Sequence, residues 1–468
     1  MRHSASLLAI LAVAILLGAP AYADLDNLDI GGDLMMMGYW SDNTYSLDDD
    51  CDDEDSFRRM EGHIWFLACL AENVEAKISL EFDRTFSNED GVRGVSCSNW
   101  GSPMSDGYYE GDDDLGIFLE EAYIKMADVY GYPVTVTLGR QFIELGDGFV
   151  LGDSLAGDPT DISDLGIDEI DPFDALKIEW EASEDWLVTL IWSKFAETRT
   201  LREDTDLYVL NVSYLGFENH IVEGYYMFFD VDGCGCDYYY SKADNGYGDV
   251  QVKLHQIGLR AEGRIVDQLG YHAEATWQFA DSIETSYDCD KLASDGDLDI
   301  GGWAIEAGLL WEPEAMADNN VGIGFTITWM SGVDYDDESD YDGYIQIADS
   351  RTFGEIADFY GMVSNNISSC GVGPYPGVFI FNLDAKADLT EQLSGALEAY
   401  YFMADEDEWL NDKDDIGWEV DAYLNYEITE DLSAQVAAGI FEGGDASEEY
   451  FGADDTAWFF RGGVTVSF

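Results

Sequence analysis

Carboxylates at alternate positions along short segments are the residues of this chain most able to do chemistry. Between Trp418 and Tyr426, Glu419 and Asp421 alternate with Val420 and other apolar residues. On a β-strand this alternation puts the carboxylates on one face and the apolar side chains on the other. The acidic face would attract cations and accept hydrogen bonds, whereas the other face needs a nonpolar environment. The segment is therefore typical of a strand that separates water from a nonpolar phase.

Catalytic groupings are weak in this sequence. A hydrolase needs a nucleophile, a base and an orienting group together. The histidines after residue 23 are His63, His220, His255 and His272. His272 shares a predicted face with Glu274, and His255 lies on the predicted neighbouring strand, but no serine motif or His-Glu-x-x-His helix accompanies them. A histidine in such a wall is more often a structural residue, so we predict that the chain is not an enzyme.

The chain ends in a strand of the same alternating kind. Trp458, Phe460, Val464 and the terminal Phe468 fall on one side, and Arg461 falls on the other. An apolar row that ends on an aromatic residue is what a lipid-facing strand of an outer-membrane barrel needs. A soluble edge strand could show the same alternation, so the rest of the chain must distinguish the two.

The start of the chain has the features of a secretory signal. Arg2 precedes an apolar run over 7–17, and Ala21-Tyr-Ala23 is a small-residue cleavage site. We predict a signal peptide over 1–23 and a single domain over 24–468. The apolar run is too short to cross a membrane as a helix, and no later run of about 18 apolar residues follows, so a membrane protein of this sequence must be a barrel.

Strand-like segments recur along the whole domain. They lie near 28–40, 58–70, 75–86, 115–127, 133–142, 172–182, 186–196, 205–214, 220–230, 252–264, 269–281, 301–311, 320–330, 378–388, 392–403, 416–427, 432–441 and 457–468. The connections alternate between mostly long acidic segments, such as 331–377, and short turns, such as 183–185, with the short segment near 197–204 as the exception. This alternation predicts an all-β transmembrane antiparallel barrel of about 18 strands, with short periplasmic turns and long acidic extracellular loops.

The charge excludes some functions. The net charge is −76 at pH 7, so phosphate contacts cannot be the main attraction to a partner and nucleic acid is excluded. High charge often indicates disorder, but 47% hydrophobic residues and regular strand patterns argue against disorder here.

The cysteines follow the predicted division into strands and loops. Cys69 alone lies in a strand and is expected to be unpaired. The other cysteines, candidates for disulfides in an exported protein, are Cys51, Cys97, Cys234, Cys236, Cys289 and Cys370. Cys51 with Cys97 and Cys289 with Cys370 are plausible pairs, but connectivity cannot be derived from sequence. Cys234-Gly-Cys236 is a local disulfide or a metal-binding thiol pair, and we favour the disulfide.

Two regions resemble a known family. The first contains Phe118-Leu-Glu-Glu-Ala-Tyr-Ile-Lys125, Val136-Thr-Leu-Gly-Arg-Gln141 and Gly146-Asp-Gly-Phe-Val-Leu-Gly-Asp153. The second contains Ile416-Gly-Trp-Glu-Val-Asp-Ala-Tyr-Leu-Asn-Tyr426 and Phe441-Glu-Gly-Gly-Asp445. Both look like the alginate-export family of bacterial outer-membrane porins. The resemblance implies a monomeric 18-stranded barrel with an electropositive lumen, and an assembly machinery that reads Phe468.

The charges predicted to face inward depart from that family. A conduit for a polyanion needs a ladder of cations that replaces the lost hydration of each carboxylate. The candidates for lining the pore are Arg59, Lys77, Glu81, Glu121, Lys125, Arg140, Lys177, Glu179, Arg260, Glu262, Glu274, Lys386, Glu398, Glu419, Asp421 and Arg461. Most of these cations share a predicted face with acids, so the charges could also pair across strands and only brace the wall. Arg140 matches a pore-lining Arg of the family, but it faces inward here only if Gly139 forms a bulge.

Several loop features have two interpretations. Asp295, Asp297 and Asp299 are spaced like weak Ca²⁺ ligands in an extracellular loop, although a solvated acidic surface is the preferred interpretation. The long segment 331–377 could fold inward as a constriction or cap the surface. The segment 146–153 is a second candidate for the pore mouth.

These features lead to one leading hypothesis and two alternatives. We expect a bacterial outer-membrane porin for passive diffusion of small hydrophilic solutes, with a preference for cations and without a cofactor, except possible calcium in the loops. Its expected partners are outer-membrane lipid and lipopolysaccharide. The alternatives are a porin that exports or takes up an oligosaccharide or an alginate-like polysaccharide, and a Ca²⁺-binding surface adhesin with a closed barrel. Alginate itself is not the expected substrate, because the acidic interior should repel anions.

Overall fold

The chain forms an antiparallel β-barrel. The computed structural model describes residues 27–44, 47, 55–87, 116–152, 172–197, 204–234, 249–284, 298–334, 340–346, 351–357, 375–451 and 453–468. Its strands are β1 Asn27–Asp42, β2 Asp55–Ala71, β3 Val74–Ser87, β4 Gly116–Met126, β5 Val134–Gln141, β6 Phe173–Ser183, β7 Trp186–Glu197, β8 Asp204–Phe217, β9 His220–Cys234, β10 Asp249–Val266, β11 Leu269–Glu284, β12 Leu298–Ile300, β13 Trp303–Trp311, β14 Gly322–Met330, β15 Asp340–Tyr341, β16 Val378–Asp388, β17 Leu393–Met403, β18 Asp415–Thr429, β19 Leu432–Gly443 and β20 Ala457–Ser467.

Eighteen of these strands make the barrel wall, and the short strands β12 and β15 pair in parallel with each other beside it. Each wall strand pairs antiparallel with the next along the chain, and β1 also pairs with β20, from Asp33 opposite Ser467 to Asp42 opposite Trp458. The sheet is therefore closed. A closed sheet has no edge with unpaired backbone groups, which is the condition for strands that lie in hydrocarbon.

The two faces of the wall differ as the alternation predicts. In β20, Trp458 and Phe460 are each 41% exposed on the outer face, whereas Phe459 and Arg461 are buried on the inner face. In β18, Trp418 faces outward, and Glu419 and Asp421 are buried inside. Large apolar side chains thus cover the outside of the barrel, and polar or tightly packed side chains face inward.

The inner face changes in character along the barrel. One end carries the short turns, called here the turn end, and the other carries the long connections, called the loop end. Towards the loop end, inward side chains such as Tyr39, Phe229, Phe402, Phe441 and Phe459 join one buried apolar cluster. Charged side chains dominate the inner face beyond this cluster. The interior is therefore partly packed, rather than lined by charge from end to end.

Among the described residues, helical structure is confined to connections. It consists of the helix α1, Asp445–Phe451, and the 3-10 turns Val129–Gly131, Glu314–Asn319 and Glu408–Leu410. No helix of the described ranges is long and apolar enough to cross a membrane.

The fold class predicted from the sequence is confirmed, and each of the predicted strands is present. The main difference is at the loop end, where some strands run further than expected. For example, β9 and β10 stay paired as far as Cys234 and Asp249. Polar residues there obscure the alternation, but backbone hydrogen bonding continues because the ladder does not depend on side-chain type.

Candidate functional site: a constriction inside the barrel

Two connections fold into the barrel and contact its inner wall. They are 142–152, between β5 and β6, and the described parts of the connection between β14 and β16, 340–346 and 351–357. We call them the first and second inserted segments. Both contribute to the apolar cluster, through residues such as Phe149 and Phe353. Of the two interpretations of 331–377, the described parts favour inward folding.

Glu419 holds the second inserted segment to the wall. Its Oε1 and Oε2 accept hydrogen bonds from the backbone N–H groups of Ile356 at 2.6 Å and Ala357 at 2.8 Å. Gly354 permits this approach, because it has a φ of +84° and a Cβ there would lie 2.6 Å from Glu419 Oε2. Next to it, Arg461 Nη2 donates to Glu355 Oε1 at 3.2 Å. A buried carboxylate and a buried guanidinium thus fix the same segment.

Gln278 holds the earlier part of that segment. Its amide nitrogen donates to the carbonyl of Ile345 at 2.6 Å, and its amide oxygen accepts from the N–H of Ile345 at 2.8 Å. Gln256 Nε2 donates to the hydroxyl of Tyr344 at 3.2 Å. Tyr344 in turn stacks on Phe149 of the first inserted segment, with ring centroids 6.5 Å apart. The two inserted segments therefore contact each other as well as the wall.

Arg260 is the main charged contact of the first inserted segment. Its guanidinium donates to Asp147 at 2.9 Å, to Glu223 at 3.0 Å and to Glu262 at 2.6 Å, and its Nε lies 3.9 Å from Glu274. One cation is therefore shared by four carboxylates. Because charge-assisted hydrogen bonds are the stronger ones, this group fixes the position of the segment.

Glu306 lies beside that group, on β13 directly opposite Glu274 of β11. Arg351 of the second inserted segment donates to its Oε1 at 2.6 Å, His272 Nε2 lies 3.3 Å from the same oxygen, and Thr328 donates to Oε2 at 2.8 Å. Among the described residues, Asp147, His272 and Glu306 are the one group of possible metal ligands whose atoms lie within 4.8 Å of one another. Guanidinium groups already bind both carboxylates, so this arrangement holds the segments in place and does not favour a metal.

Several of the remaining inward cations are also paired. Arg59 lies 3.3 Å from Glu61 and 3.2 Å from Asp83. The other ion pairs are Lys77 with Glu121, Lys125 with Glu75 at 3.3 Å and Lys177 with Glu179 at 3.6 Å. The cross-strand pairing that the sequence left open is thus present at these positions.

Most residues predicted to line the pore lie on the inner face of the wall. They are Arg59, Lys77, Glu81, Glu121, Lys125, Lys177, Glu179, Arg260, Glu262, Glu274, Lys386, Glu398, Glu419, Asp421 and Arg461. Lys386 and Glu398 lie towards the turn end of β16 and in the middle of β17, and Tyr400 donates to Glu398 at 2.8 Å. Whether these residues border a conducting path stays a prediction.

Arg140 is the exception, and its inward orientation was wrongly predicted. Gly139 has a φ of +126°, but the pairing of β4 with β5 runs without a register shift. Thr137 and Gln141 are buried on the inner face, so Arg140 lies on the outer one, 3.7 Å from the exposed Asp174 opposite it. Because no bulge changes the alternation, Arg140 cannot line the interior.

The positions of His255 and His272 do not support a catalytic site that uses both histidines. His272 is on the inner face, but His255 lies on the outer face, where its ring stacks on Phe279 at 5.1 Å and Phe228 at 4.7 Å. The two are on opposite sides of the wall and cannot act together.

Several interior residues were missed in the sequence, among them Glu223, Asp147, Arg351 and Glu355. Glu223 alternates with apolar neighbours on β9, so the period of two could have identified it. Asp147, Arg351 and Glu355 lie on the inserted segments, which the sequence marked as candidates for the pore mouth or a constriction, but no period identifies these side chains within them.

Some predicted sites lie outside the described residues. These are the signal peptide 1–23, the calcium candidates Asp295 and Asp297, and the disulfide candidates Cys51, Cys97, Cys236, Cys289 and Cys370. The backbones of Asp299 and Cys234 are described, but their side chains are not. Cys69 is a free cysteine.

The barrel is similar in fold to known proteins. Acinetobacter baumannii OccAB1 has a TM-score of 0.56 and 13% identity, with 96% of this chain and 98% of that chain covered. Pseudomonas aeruginosa OccK8 (OprE) has a TM-score of 0.55 and 10% identity, with 95% and 99% covered. Pseudomonas aeruginosa OpdK, solved with vanillate, has a TM-score of 0.51 and 10% identity, with 94% and 98% covered. At these low sequence identities, the similarity shows a shared fold only.

Sequence comparison identifies the family. Among curated proteins no sequence matches the chain. The profile of the family described as "Alginate export" matches residues 50–328. The match covers more than half of the chain and agrees with the porin fold. The chain belongs to the alginate export family, with the fold of bacterial outer-membrane porins.

Proposed function

We propose that the protein is a channel of the bacterial outer membrane through which small hydrophilic solutes diffuse passively, with a preference for cations. The observation that carries the proposal is the charge balance inside the barrel. Arg260 is shared by Asp147, Glu223, Glu262 and Glu274, so carboxylates outnumber the cation they surround. Net negative charge in a narrow interior concentrates cations and repels anions.

The second candidate is transport of an oligosaccharide or an alginate-like polysaccharide, which the family match favours. A polyanion would need cations that are free to replace its hydration. Arg59, Arg260, Arg351 and Arg461 each already bind a carboxylate of the protein. We therefore expect alginate to bind weakly, and a neutral oligosaccharide fits the interior better.

A closed barrel with binding loops is a third candidate, from another class. It is favoured by the apolar cluster, which fills part of the interior near the loop end. In this case the acidic loops would act outside the cell, through Ca²⁺ at Asp295, Asp297 and Asp299. A barrel without ion conductance would support it.

A location in the outer membrane implies several partners. The outer face would contact outer-membrane lipid, with lipopolysaccharide at the loop end, and the chain would act as a monomer. Phe468 is 71% exposed, and its backbone hydrogen-bonds to Gly32 at 3.0 and 2.9 Å. An outward aromatic at the last position would suit recognition by the barrel-assembly machinery.

Planar-bilayer recordings of the full-length protein test these candidates together. Under a KCl gradient, we expect a reversal potential that shows K⁺ crossing more readily than Cl⁻. A reversal potential with the opposite sign would contradict the cation preference. A barrel that conducts no ions would contradict the channel and favour the adhesin. Current blocked by an added neutral oligosaccharide, but not by alginate, would support the second candidate.

A further inference from the structure

Four carboxylates meet at one place on the inner wall. Asp421 of β18 lies directly opposite Glu398 of β17, and Glu419 lies two residues earlier on the same face of β18. Glu355 approaches from the second inserted segment, where it pairs with Arg461. One guanidinium group thus accompanies four acids.

Three of these carboxylates accept well-formed hydrogen bonds. Glu398 accepts from the hydroxyl of Tyr400 at 2.8 Å. Glu419 accepts from two backbone N–H groups of the inserted segment, and Glu355 accepts from Arg461. Each of these interactions stabilises an ionised carboxylate, so the negative charge of the group is not removed by them.

Asp421 differs from the other three. It is 0% exposed, and neither of its carboxylate oxygens has a hydrogen-bond partner. The carboxyl of Glu419 and the backbone N–H of Glu355 approach it, but neither forms a hydrogen bond of good geometry with it. Gly439 on β19 leaves room for it, since a Cβ there would lie 2.1 Å from Asp421 Oδ1. A buried carboxylate is thus accommodated without a well-aligned hydrogen-bond donor.

An ionised carboxylate without a donor is strongly disfavoured in a buried place, and neighbouring carboxylates disfavour it further. We propose that Asp421, with Glu419 and Glu398, binds a hard divalent cation of the Ca²⁺ class inside the barrel wall. The ligand atoms are carboxylate oxygens, which Ca²⁺ prefers and which soft metals do not. In the structure these three carboxylates are not all within 4.8 Å of one another, so binding requires the side chain of Glu398 to rotate away from Tyr400. Because Glu419 also holds the inserted segment, the ion strengthens the attachment of that segment to the wall.

This site goes beyond the proposed function, because it does not depend on whether the barrel conducts. The first test is thermal unfolding of the full-length protein in detergent, after treatment with a chelator and again with added CaCl₂. We expect Ca²⁺ to raise the Tm of the wild type, with a Kd of roughly 10⁻⁴ to 10⁻³ M as for extracellular Ca²⁺ modules. D421N removes the buried charge and keeps the shape. Without Ca²⁺ its Tm is at least that of the wild type, and Ca²⁺ raises it much less.

The second test locates the ion with Tb³⁺, which replaces Ca²⁺ and emits when a nearby tyrosine is excited. Tyr400 and Tyr423 lie beside Asp421. The double variant Y400F/Y423F should lose the part of the emission that D421N also loses, while Ca²⁺ still raises its Tm. Tb³⁺ bound in the acidic loops would remain visible in both variants.

The matched control is E427Q, which removes an exposed acid further along β18. Its response to Ca²⁺ should equal that of the wild type. E398Q serves as a second variant if D421N does not fold, with the same expected loss. The proposal is overturned if Ca²⁺ raises the Tm of D421N and E398Q as much as that of the wild type, or does not raise the Tm of the wild type. It is also overturned if D421N changes only the pH dependence of the Tm. That result would mean that Asp421 shares a proton with a neighbouring carboxylate and binds no ion.

Discussion

Replacement of Glu419 by Ala should release the second inserted segment from the barrel wall. The variant removes the one carboxylate that accepts from the N–H groups of Ile356 and Ala357. Each buried donor left unpaired costs about 1–3 kcal/mol, so the attachment should weaken by about 2–6 kcal/mol. Even about 2 kcal/mol shifts the equilibrium between attached and released segment roughly 30-fold. Because the strands keep their own ladder, the barrel should stay folded.

Two measurements check this prediction. Limited proteolysis of the protein in detergent should cleave near 351–357 faster in Glu419→Ala than in the wild type. In planar bilayers, single-channel conductance should rise or become noisier, because the segment no longer narrows the interior in one position. The control is Glu427→Ala, which removes an exposed acid of the same strand and should change neither measurement. Cleavage and conductance equal to those of the wild type would refute the role of Glu419.

Three further changes test other contacts. Arg260→Met leaves four carboxylates without their shared cation; we expect destabilisation of about 3–5 kcal/mol, measured by denaturant unfolding, and a stronger preference for K⁺ in bilayers. Gly439→Ala puts a Cβ 2.1 Å from Asp421 Oδ1, so the Tm should fall by the equivalent of about 1–3 kcal/mol. Burial raises the pKa of Asp405, in the connection after β17, although Gly332 N–H and Trp329 partly oppose this. The folded state therefore favours its protonated form, and stability is lost as the pH rises from the unfolded-state pKa through the folded one; Asp405→Asn should remove this part of the pH dependence of the Tm.

The sequence was sufficient to predict the strands of the barrel wall and their two faces, but not the contacts inside the barrel. In β18 and β20, apolar and polar residues alternate strictly, and a one-residue slip would move Glu419 and Asp421 to the apolar face, so strand and face could both be predicted. Arg140 was placed wrongly because its inward orientation was taken from the family resemblance and required a bulge at Gly139, whereas the alternation itself places it outward. The contact of Glu419 with Ile356 joins positions 63 residues apart, and the inserted segment has no period that indicates a partner.

The inner charges therefore have two roles: they attach the inserted segments to the wall, and their excess negative charge attracts cations. The sequence alone could not separate these roles. Arg260, Arg351 and Arg461 each join an inserted segment to the wall or to the carboxylates around it, so their charge is used within the protein. A solute that needs those cations would have to displace a carboxylate held close to each guanidinium, and it would thereby loosen the constriction. A mobile cation is instead attracted by the excess of carboxylates over guanidinium groups around Arg260. Membership in the alginate export family thus does not make alginate the expected solute, since the residues that could bind it here hold the constriction together.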